Sequence, residues 1–100
     1  MVAIVGAFAS CKAPNKESID VLKQKAQSHF DKGEYAEAVE LWQKAANEGD
    51  AESQNTIGLC YYYGKGVSQD YAKAVEWLQK AAKQGFAWAQ EYLERMNIEY

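Results

Sequence analysis

The feature that most constrains the fold of this 100-residue chain is an internal repeat. The segment YAEAVELWQKAANEGDAESQ at residues 35–54 aligns with YAKAVEWLQKAAKQGFAWAQ at residues 71–90. The two segments are 36 residues apart, and 12 of their 20 aligned positions are identical. A period of roughly 20–50 residues is typical of stacked repeats, in which each unit buries its apolar face against the next. The sequence therefore predicts one small domain built from repeated units.

Within each copy, apolar residues recur at the spacing of an α-helix. In the second copy they follow i, i+3, i+4 and i+7 over residues 71–78, and the first copy has the same pattern over residues 35–42. Gly49 and Gly85 come after the last periodic residues, where glycine ends a helix in a left-handed conformation. Asp50 is then a suitable N-cap for the helix that follows.

Three further helices complete the predicted series, so the predicted fold class is all-α. The first runs from about Ser18 to Asp31, another from Ala51 to about Tyr63, and the last from about Phe86 to Asn97. About five helices make two antiparallel hairpins plus one terminal helix. Two repeats are fewer than the three or so that an array normally needs, and the last helix is therefore expected to act as a cap.

A long motif in the second unit resembles a known repeat family. Residues 51–85 contain A-x-x-Q-x-x-I-G-x-x-Y-x-x-G-x-G-V-x-x-D-Y-x-K-A-V-x-W-L-x-K-A-A-x-x-G. This motif resembles the Sel-one-like repeat (SLR), a subclass of the tetratricopeptide repeats. The first unit, LKQKAQSHFDKGEYAEAVELWQKAA at residues 22–46, has the shorter loop of an ordinary tetratricopeptide repeat. The resemblance covers about residues 18–97 and implies a short right-handed α-solenoid of antiparallel helix hairpins, so residues 18–100 are assigned to the repeat domain.

The resemblance also implies a function and a set of site residues. In this family the first helix of each repeat lines a concave surface where a peptide or another protein binds. Large aromatic side chains with polar tips suit a peptide better than a small molecule, although each of them has packing between repeats as its alternative role. Lys23 with Arg95 is a candidate clamp for a carboxylate. Carried over position by position, the predicted partner-binding residues are Lys23, Gln27, Phe30, Asn55, Leu59, Tyr62, Tyr63, Trp88, Glu91 and Arg95.

Three consecutive tyrosines precede a Gly-Lys-Gly turn at residues 64–66. Successive helical positions differ by about 100°, so these three side chains cannot all face one way. Tyr61 is assigned to the core by its place in the repeat. Tyr62 and Tyr63 are the best candidates for contact with a partner, and the glycines are expected to permit the turn.

The charge pattern excludes one class of function. The formal net charge is -3, basic and acidic residues alternate along the chain, and Arg95 is the only arginine. A nucleic-acid-binding protein normally concentrates Lys and Arg on one face, so no nucleic acid is expected as a partner. A protein or peptide partner is expected, and self-association is a further possibility because two and a half repeats leave an apolar end exposed.

Few residues have the chemistry of an active site. His29 is the only histidine, and Cys60 lies in a predicted helix without a paired cysteine, which is more typical of a small buried apolar residue. We therefore expect a non-catalytic protein with no metal and no cofactor. The alternative is an envelope enzyme or small-ligand-binding protein of the cysteine-rich SLR type that uses His29 and Cys60.

The first 17 residues differ from the repeats. An apolar run at residues 2–9 leads into Ala9-Ser10-Cys11, and the run is far too short to span a membrane. It resembles the end of a bacterial lipoprotein signal, which would make Cys11 a lipidation site and residues 12–17 a tether. No basic residue precedes the run, and its alternative is a disordered or docked tail. A signal implies the cell envelope or periplasm, with a lipid anchor in a bacterial membrane; otherwise the protein is cytoplasmic.

Overall fold

The computed structural model describes residues 18–100, and this part of the chain contains five α-helices and no strand. Each helix packs against the next one along the chain. The described residues therefore form an all-α array of helix hairpins, which confirms the predicted fold class. The helices are α1 (Ile19–Asp31), α2 (Tyr35–Asn47), α3 (Ala51–Tyr63), α4 (Tyr71–Lys83) and α5 (Ala87–Arg95).

The helix boundaries follow from local chemistry. The side chains of Ser18, Asp50 and Asp70 each accept a hydrogen bond from a backbone N–H in the first turn of the helix that they precede. Gly49 and Gly85 have φ angles of 100° and 92°, so the predicted glycine stops are confirmed.

The last helix is shorter than predicted. It runs from Ala87 to Arg95 instead of Phe86 to Asn97, and Asn97 has a φ of 61°. Asparagine tolerates this left-handed conformation, which lets the chain leave the helix. The segment after it folds back: Met96 and Ile98 pack near the last helices, and the Gln79 side chain donates to the Glu99 carbonyl at 2.8 Å.

Two apolar clusters hold the helices together, and alanine is the commonest residue in both. Small side chains let helices approach closely, and the larger ones fill the space between them. Gly58 has the same role, because a Cβ atom there would lie 2.9 Å from Leu78 Cγ and 3.1 Å from the Ala74 carbonyl oxygen. The first cluster contains Ala26, Ala38, Val39, Trp42, Ala46, Ile57 and Cys60, and the second contains Leu78, Ala81, Ala82, Ala89 and Leu93.

Glutamine side chains connect successive helices at repeated positions. Gln54 Nε2 donates to the Ala46 carbonyl at 3.2 Å, and 36 residues later Gln90 Nε2 donates to the Ala82 carbonyl at 3.0 Å. In each case the amide adds a second hydrogen bond to a carbonyl in the last turn of the preceding helix, which also accepts from the N–H of Gly49 or Gly85. Gln84 Nε2 adds bonds to Gln54 Oε1 and the Gly49 carbonyl, both at 2.9 Å.

Candidate functional site

Helix α3 lies between two apolar grooves. The α1–α3 groove has a volume of about 320 Å³ and lies between the C-terminal half of α1 and α3. The α3–α5 groove has a volume of about 230 Å³ and lies between α3 and the end of α5. The first is lined by Gln27, Phe30, Trp42, Thr56, Leu59, Cys60, Tyr63 and Lys65, and the second by Leu59, Tyr62, Tyr63, Tyr92, Arg95 and Met96.

The two grooves share one wall. Leu59 and Tyr63 line both of them and lie one helical turn apart on α3, so they form a ridge between the grooves. Tyr63 is 61% exposed although it is a large aromatic residue. Its ring meets that of Tyr62 edge to face at 5.0 Å. We call the surface that contains both grooves the α1–α3–α5 surface.

The three tyrosines differ in environment. Tyr61 is half-buried and packs against the first apolar cluster. Tyr62 is also half-buried, and its ring lies 5.2 Å from that of Tyr71, so it combines internal packing with a place in the α3–α5 groove. Tyr63 is the one whose ring is mostly exposed.

The other two predicted aromatic residues, Phe30 and Trp88, lie in different surroundings. Phe30 is half-buried, with its ring 5.5 Å from that of Trp42, and forms part of the α1–α3 groove. Trp88 is 66% exposed near the start of α5, where it borders a separate shallow depression of about 300 Å³ with Glu52 and Phe86.

The predicted basic residues lie in different surroundings. Lys23 Nζ is 2.5 Å from Glu52 Oε1 and 3.3 Å from Asp50 Oδ2. The hydrogen bond to Glu52 raises the pKa of Lys23 above its ordinary value, with a smaller contribution from Asp50 and against the opposing effect of burial. Arg95 makes a longer contact of 3.7 Å with Glu91.

Lys23 and Arg95 do not form the suggested carboxylate clamp. Lys23 pairs with residues at the start of α3, whereas Arg95 lines a groove at the end of α3 with Tyr62 and Tyr63. About ten residues of helix separate those two ends, which is roughly 15 Å at 1.5 Å per residue. A single carboxylate cannot contact both.

Of the predicted partner-binding residues, Gln27 is hydrogen-bonded within its own helix and Asn55 is buried. Gln27 Nε2 donates to Asp31 Oδ1 at 2.9 Å while lining the α1–α3 groove. Asn55 is only 4% exposed, and its Oδ1 atom has no hydrogen-bond partner among the described residues. Burial of Asn55 had no signal in the sequence, because polarity alone predicts an exposed side chain.

Some groove residues were missed by sequence reasoning. Lys65 lines the α1–α3 groove from the corner after Tyr63, and Tyr92, the residue after Glu91, lines the α3–α5 groove. The Gly-Lys-Gly sequence could have identified Lys65, since a turn exposes the side chain between two glycines. Four more residues line the grooves because of how the helices pack together, which the spacing along one helix does not reveal. These residues are Trp42, Thr56, Cys60 and Met96.

The alternative pair, His29 and Cys60, is not arranged as a nucleophile and its base. His29 Nδ1 lies 2.7 Å from Glu34 Oε1 in the corner after α1. Cys60 is buried, and burial raises the pKa of its thiol to about 11, so the reactive thiolate is scarce at neutral pH. Among residues 18–100, no cluster of His, Cys, Asp and Glu could hold a metal ion.

Two predictions concern the N-terminal part of the chain. The proposed leader at residues 1–17 and the lipidation site at Cys11 lie outside the described residues. Within residues 18–100, every helix is too short or too polar to cross a bilayer.

Comparison with known proteins identifies the repeats. The family model of the Sel1 repeat matches residues 29–50 and 51–86, more than half of the chain. The BBSome complex member BBS4 of Xenopus tropicalis is 39% identical over 64 residues. That match covers 62% of this chain but only 12% of the relative, so the chain spans a small part of that protein. The chain belongs to the Sel1 repeat family, whose members are in general non-catalytic protein-interaction modules.

Proposed function

We propose that this protein is a recognition module that binds a peptide segment of a protein partner on the α1–α3–α5 surface. The observation that carries the proposal is the pair of apolar grooves on either side of the Leu59–Tyr63 ridge. A large tyrosine left mostly exposed between two apolar grooves has little value for stability. It offers a rigid contact area that costs little entropy on binding.

The Sel1 repeat family and the relative BBS4 both support a function in protein recognition. Sel1 repeats generally mediate contacts between proteins, and the relative BBS4 is described as a member of a complex. The size of the grooves agrees, because small-molecule pockets usually enclose roughly 300–1,000 Å³ and these grooves fall at or below the lower end of that range. Open grooves of this size suit individual side chains of a bound peptide.

The test uses the full chain as bait in an extract of the native host, with quantitative mass spectrometry of the captured proteins. The variant Tyr63→Ala with Trp88→Ala removes the exposed tyrosine of the ridge and the exposed tryptophan of the separate depression beside Glu52. We expect it to weaken partner capture by about 30-fold, since a buried aromatic anchor contributes about 2 kcal/mol or more.

The matched control is Tyr100→Ala, which removes an aromatic residue that is 46% exposed beyond α5 and lines neither groove. It should leave capture unchanged, and circular dichroism should give the same helix content for all three proteins. Equal capture by the parent and the double variant would show that the partner binds elsewhere.

We also propose that the protein works in the bacterial cell envelope, held by a lipid on Cys11. The support is the run of apolar and small residues that ends in Cys11. Intact-mass measurement of the protein purified from its host tests this: residues 1–10 should be absent and Cys11 acylated. An unmodified chain that retains residues 1–10 would contradict the proposal.

A further inference from the structure

One basic side chain lines each groove, and Tyr63 lines both grooves. Lys65 lines the α1–α3 groove and Arg95 lines the α3–α5 groove. Since Tyr63 belongs to both grooves, the two basic side chains are on either side of the same exposed ring. This end of the α1–α3–α5 surface therefore combines two apolar depressions with two positive charges.

These charges are more available than the one at the other end of α3. Lys65 Nζ lies 4.7 Å above the Tyr35 ring and makes no ion pair among the described residues. Arg95 contacts Glu91 at 3.7 Å with both side chains mostly exposed, an arrangement that contributes only about 0.3–0.5 kcal/mol. A ligand carboxylate can displace so weak a partner.

The opposite end of α3 is neutralised by its own residues. There, two carboxylates hold Lys23, at 2.5 Å and 3.3 Å. Near the grooves, Asp31 accepts a hydrogen bond from Gln27 at 2.9 Å, and Glu91 makes only the long contact with Arg95. Electrostatic complementarity therefore favours an acidic ligand at the Lys65 and Arg95 end.

We infer that the ligand is a peptide segment with two large apolar side chains, one for each groove, and an Asp or Glu beside them that pairs with Lys65 or Arg95. This inference rests on the proposed recognition function and adds the chemistry of the partner. The apolar side chains supply most of the affinity by burial, and the carboxylate selects among apolar segments.

The charge requirement distinguishes this ligand from the chain's own N-terminal run. Residues 2–9 are apolar and contain no Asp or Glu, so they would bring no carboxylate to Lys65 or Arg95. The proposed ligand satisfies the apolar grooves and the cations together. A second copy of the chain is the other competing occupant, and the experiment below separates both from an acidic partner.

The experiment selects peptides from a random dodecapeptide phage library on the full chain. In parallel, the same library is selected on the Lys65→Glu, Arg95→Glu double variant. The parent should enrich peptides with two large apolar residues and a nearby Asp or Glu, and the charge-reversed variant should enrich Lys or Arg in place of the acid. One enriched peptide is then synthesised with its acid and with the matching amide, and binding is followed by fluorescence anisotropy.

The expected effects differ between the two kinds of contact. Replacing the acid by its amide should weaken binding about fivefold, as expected for an exposed ion pair of about 1 kcal/mol. Tyr63→Ala should weaken binding of both peptides by about tenfold or more, because the ridge contacts both apolar side chains. The Tyr100→Ala control should bind like the parent.

Failure of this inference is distinguishable from failure of the proposed function. Peptides that bind the grooves without any preference for acids would overturn the inference and leave peptide recognition intact. If no peptide is enriched, or if Tyr63→Ala has no effect on those that are, both are overturned.

Two measurements identify the competing occupants. A dimer that is detected by sedimentation of the parent and is dissociated by Tyr63→Ala would assign the grooves to a second copy. A rise in peptide affinity of about tenfold in the Phe8→Asp variant of the full chain would assign the grooves to residues 2–9. Either result would overturn the inference, whereas a monomer with unchanged affinity in Phe8→Asp supports it.

Discussion

The corners of the two helix hairpins differ in length and in what they contact. Between α1 and α2 the chain turns over residues 32–34, and Gly33 has a φ of 82° with open space around it. Between α3 and α4 it turns over residues 64–70, and this longer corner lies against the first hairpin. A Cβ atom on Gly66 would be 2.5 Å from the Tyr35 carbonyl oxygen.

The short corner only reverses the chain, whereas the long corner also contacts the preceding repeat. In the long corner, Val67 packs against the first apolar cluster and Lys65 lies over the Tyr35 ring. Gln69 Nε2 donates to the Tyr62 carbonyl at 2.8 Å, which ties the corner to the end of α3. The long corner thus stabilises the contact between hairpins and also positions Lys65 at the α1–α3 groove.

The largest expected effect comes from replacing the glycine of the long corner. Gly66→Ala should lower the free energy of unfolding by about 3 kcal/mol, because it combines a positive φ of 77° with a collision against the Tyr35 backbone. The measurement is urea unfolding followed by circular dichroism. Since Lys65 is the preceding residue, peptide binding should also weaken in this variant.

Gly33→Ala is the matched control for that prediction. It introduces the same methyl group at a similar φ of 82° but with no atom nearby, so it should cost only about 1 kcal/mol. Equal losses in the two variants would mean that the long corner does not depend on close contact with Tyr35.

A second comparison concerns the glutamines that repeat every 36 residues. Gln54→Met keeps the length of a buried side chain but removes its hydrogen bonds to the Ala46 carbonyl and to Gln84. It should cost about 2 kcal/mol in the free energy of unfolding, because two hydrogen bonds of about 1 kcal/mol each are lost. Gln90→Met removes a single bond to the Ala82 carbonyl and should cost about 1 kcal/mol.

Urea midpoints of the two methionine variants compare the contact between the two hairpins with the contact between the second hairpin and the terminal helix. The bond from Gln84 joins the end of α4 to the start of α3 within the second hairpin, and Gln90 makes no equivalent bond among the described residues. A Gln90→Met loss as large as that of Gln54→Met would contradict this explanation.

The sequence predicted the helices better than the surface they form, and the reason is physical. The stops at Gly49 and Gly85 and the cap at Asp50 depend on residues that are adjacent in the chain. The end of α5 was misplaced because Asn97 gives a weaker signal than glycine. Groove walls depend on packing between helices, so the burial of Asn55 could not be derived from periodicity.

Ion pairs between helices could not be predicted from the sequence either. Lys23 was predicted to contact a partner, but the structure pairs it with two carboxylates of the next hairpin. Its separation from those carboxylates along the chain is too large for helical spacing to reveal the contact. The assignment of partner-binding residues therefore stays a prediction, and the variants at Tyr63, Lys65 and Arg95 are its direct tests.

The smallest expected effect compares two N-caps. Asp50 accepts hydrogen bonds from the Ser53 N–H at 2.9 Å and hydroxyl at 2.7 Å and contacts Lys23, whereas Asp70 accepts from the Lys73 N–H at 3.1 Å. Asn caps a helix about as well as Asp, so Asp50→Asn removes mainly the charge. It should cost about 0.5–1 kcal/mol at neutral pH, and Asp70→Asn less.

The pH dependence of that difference shows whether the charge of Asp50 is responsible. Burial alone would raise the pKa of Asp50, but the hydrogen bonds from Ser53 and the ammonium of Lys23 outweigh it and hold the pKa below its ordinary value of 3.8. The stabilisation is therefore fully present above pH 3.8 and is lost as the pH falls through the lower pKa of the folded state. Urea unfolding of parent and Asp50→Asn should converge in that acidic range. A difference that persists unchanged there would assign the effect to the geometry of the cap instead of its charge.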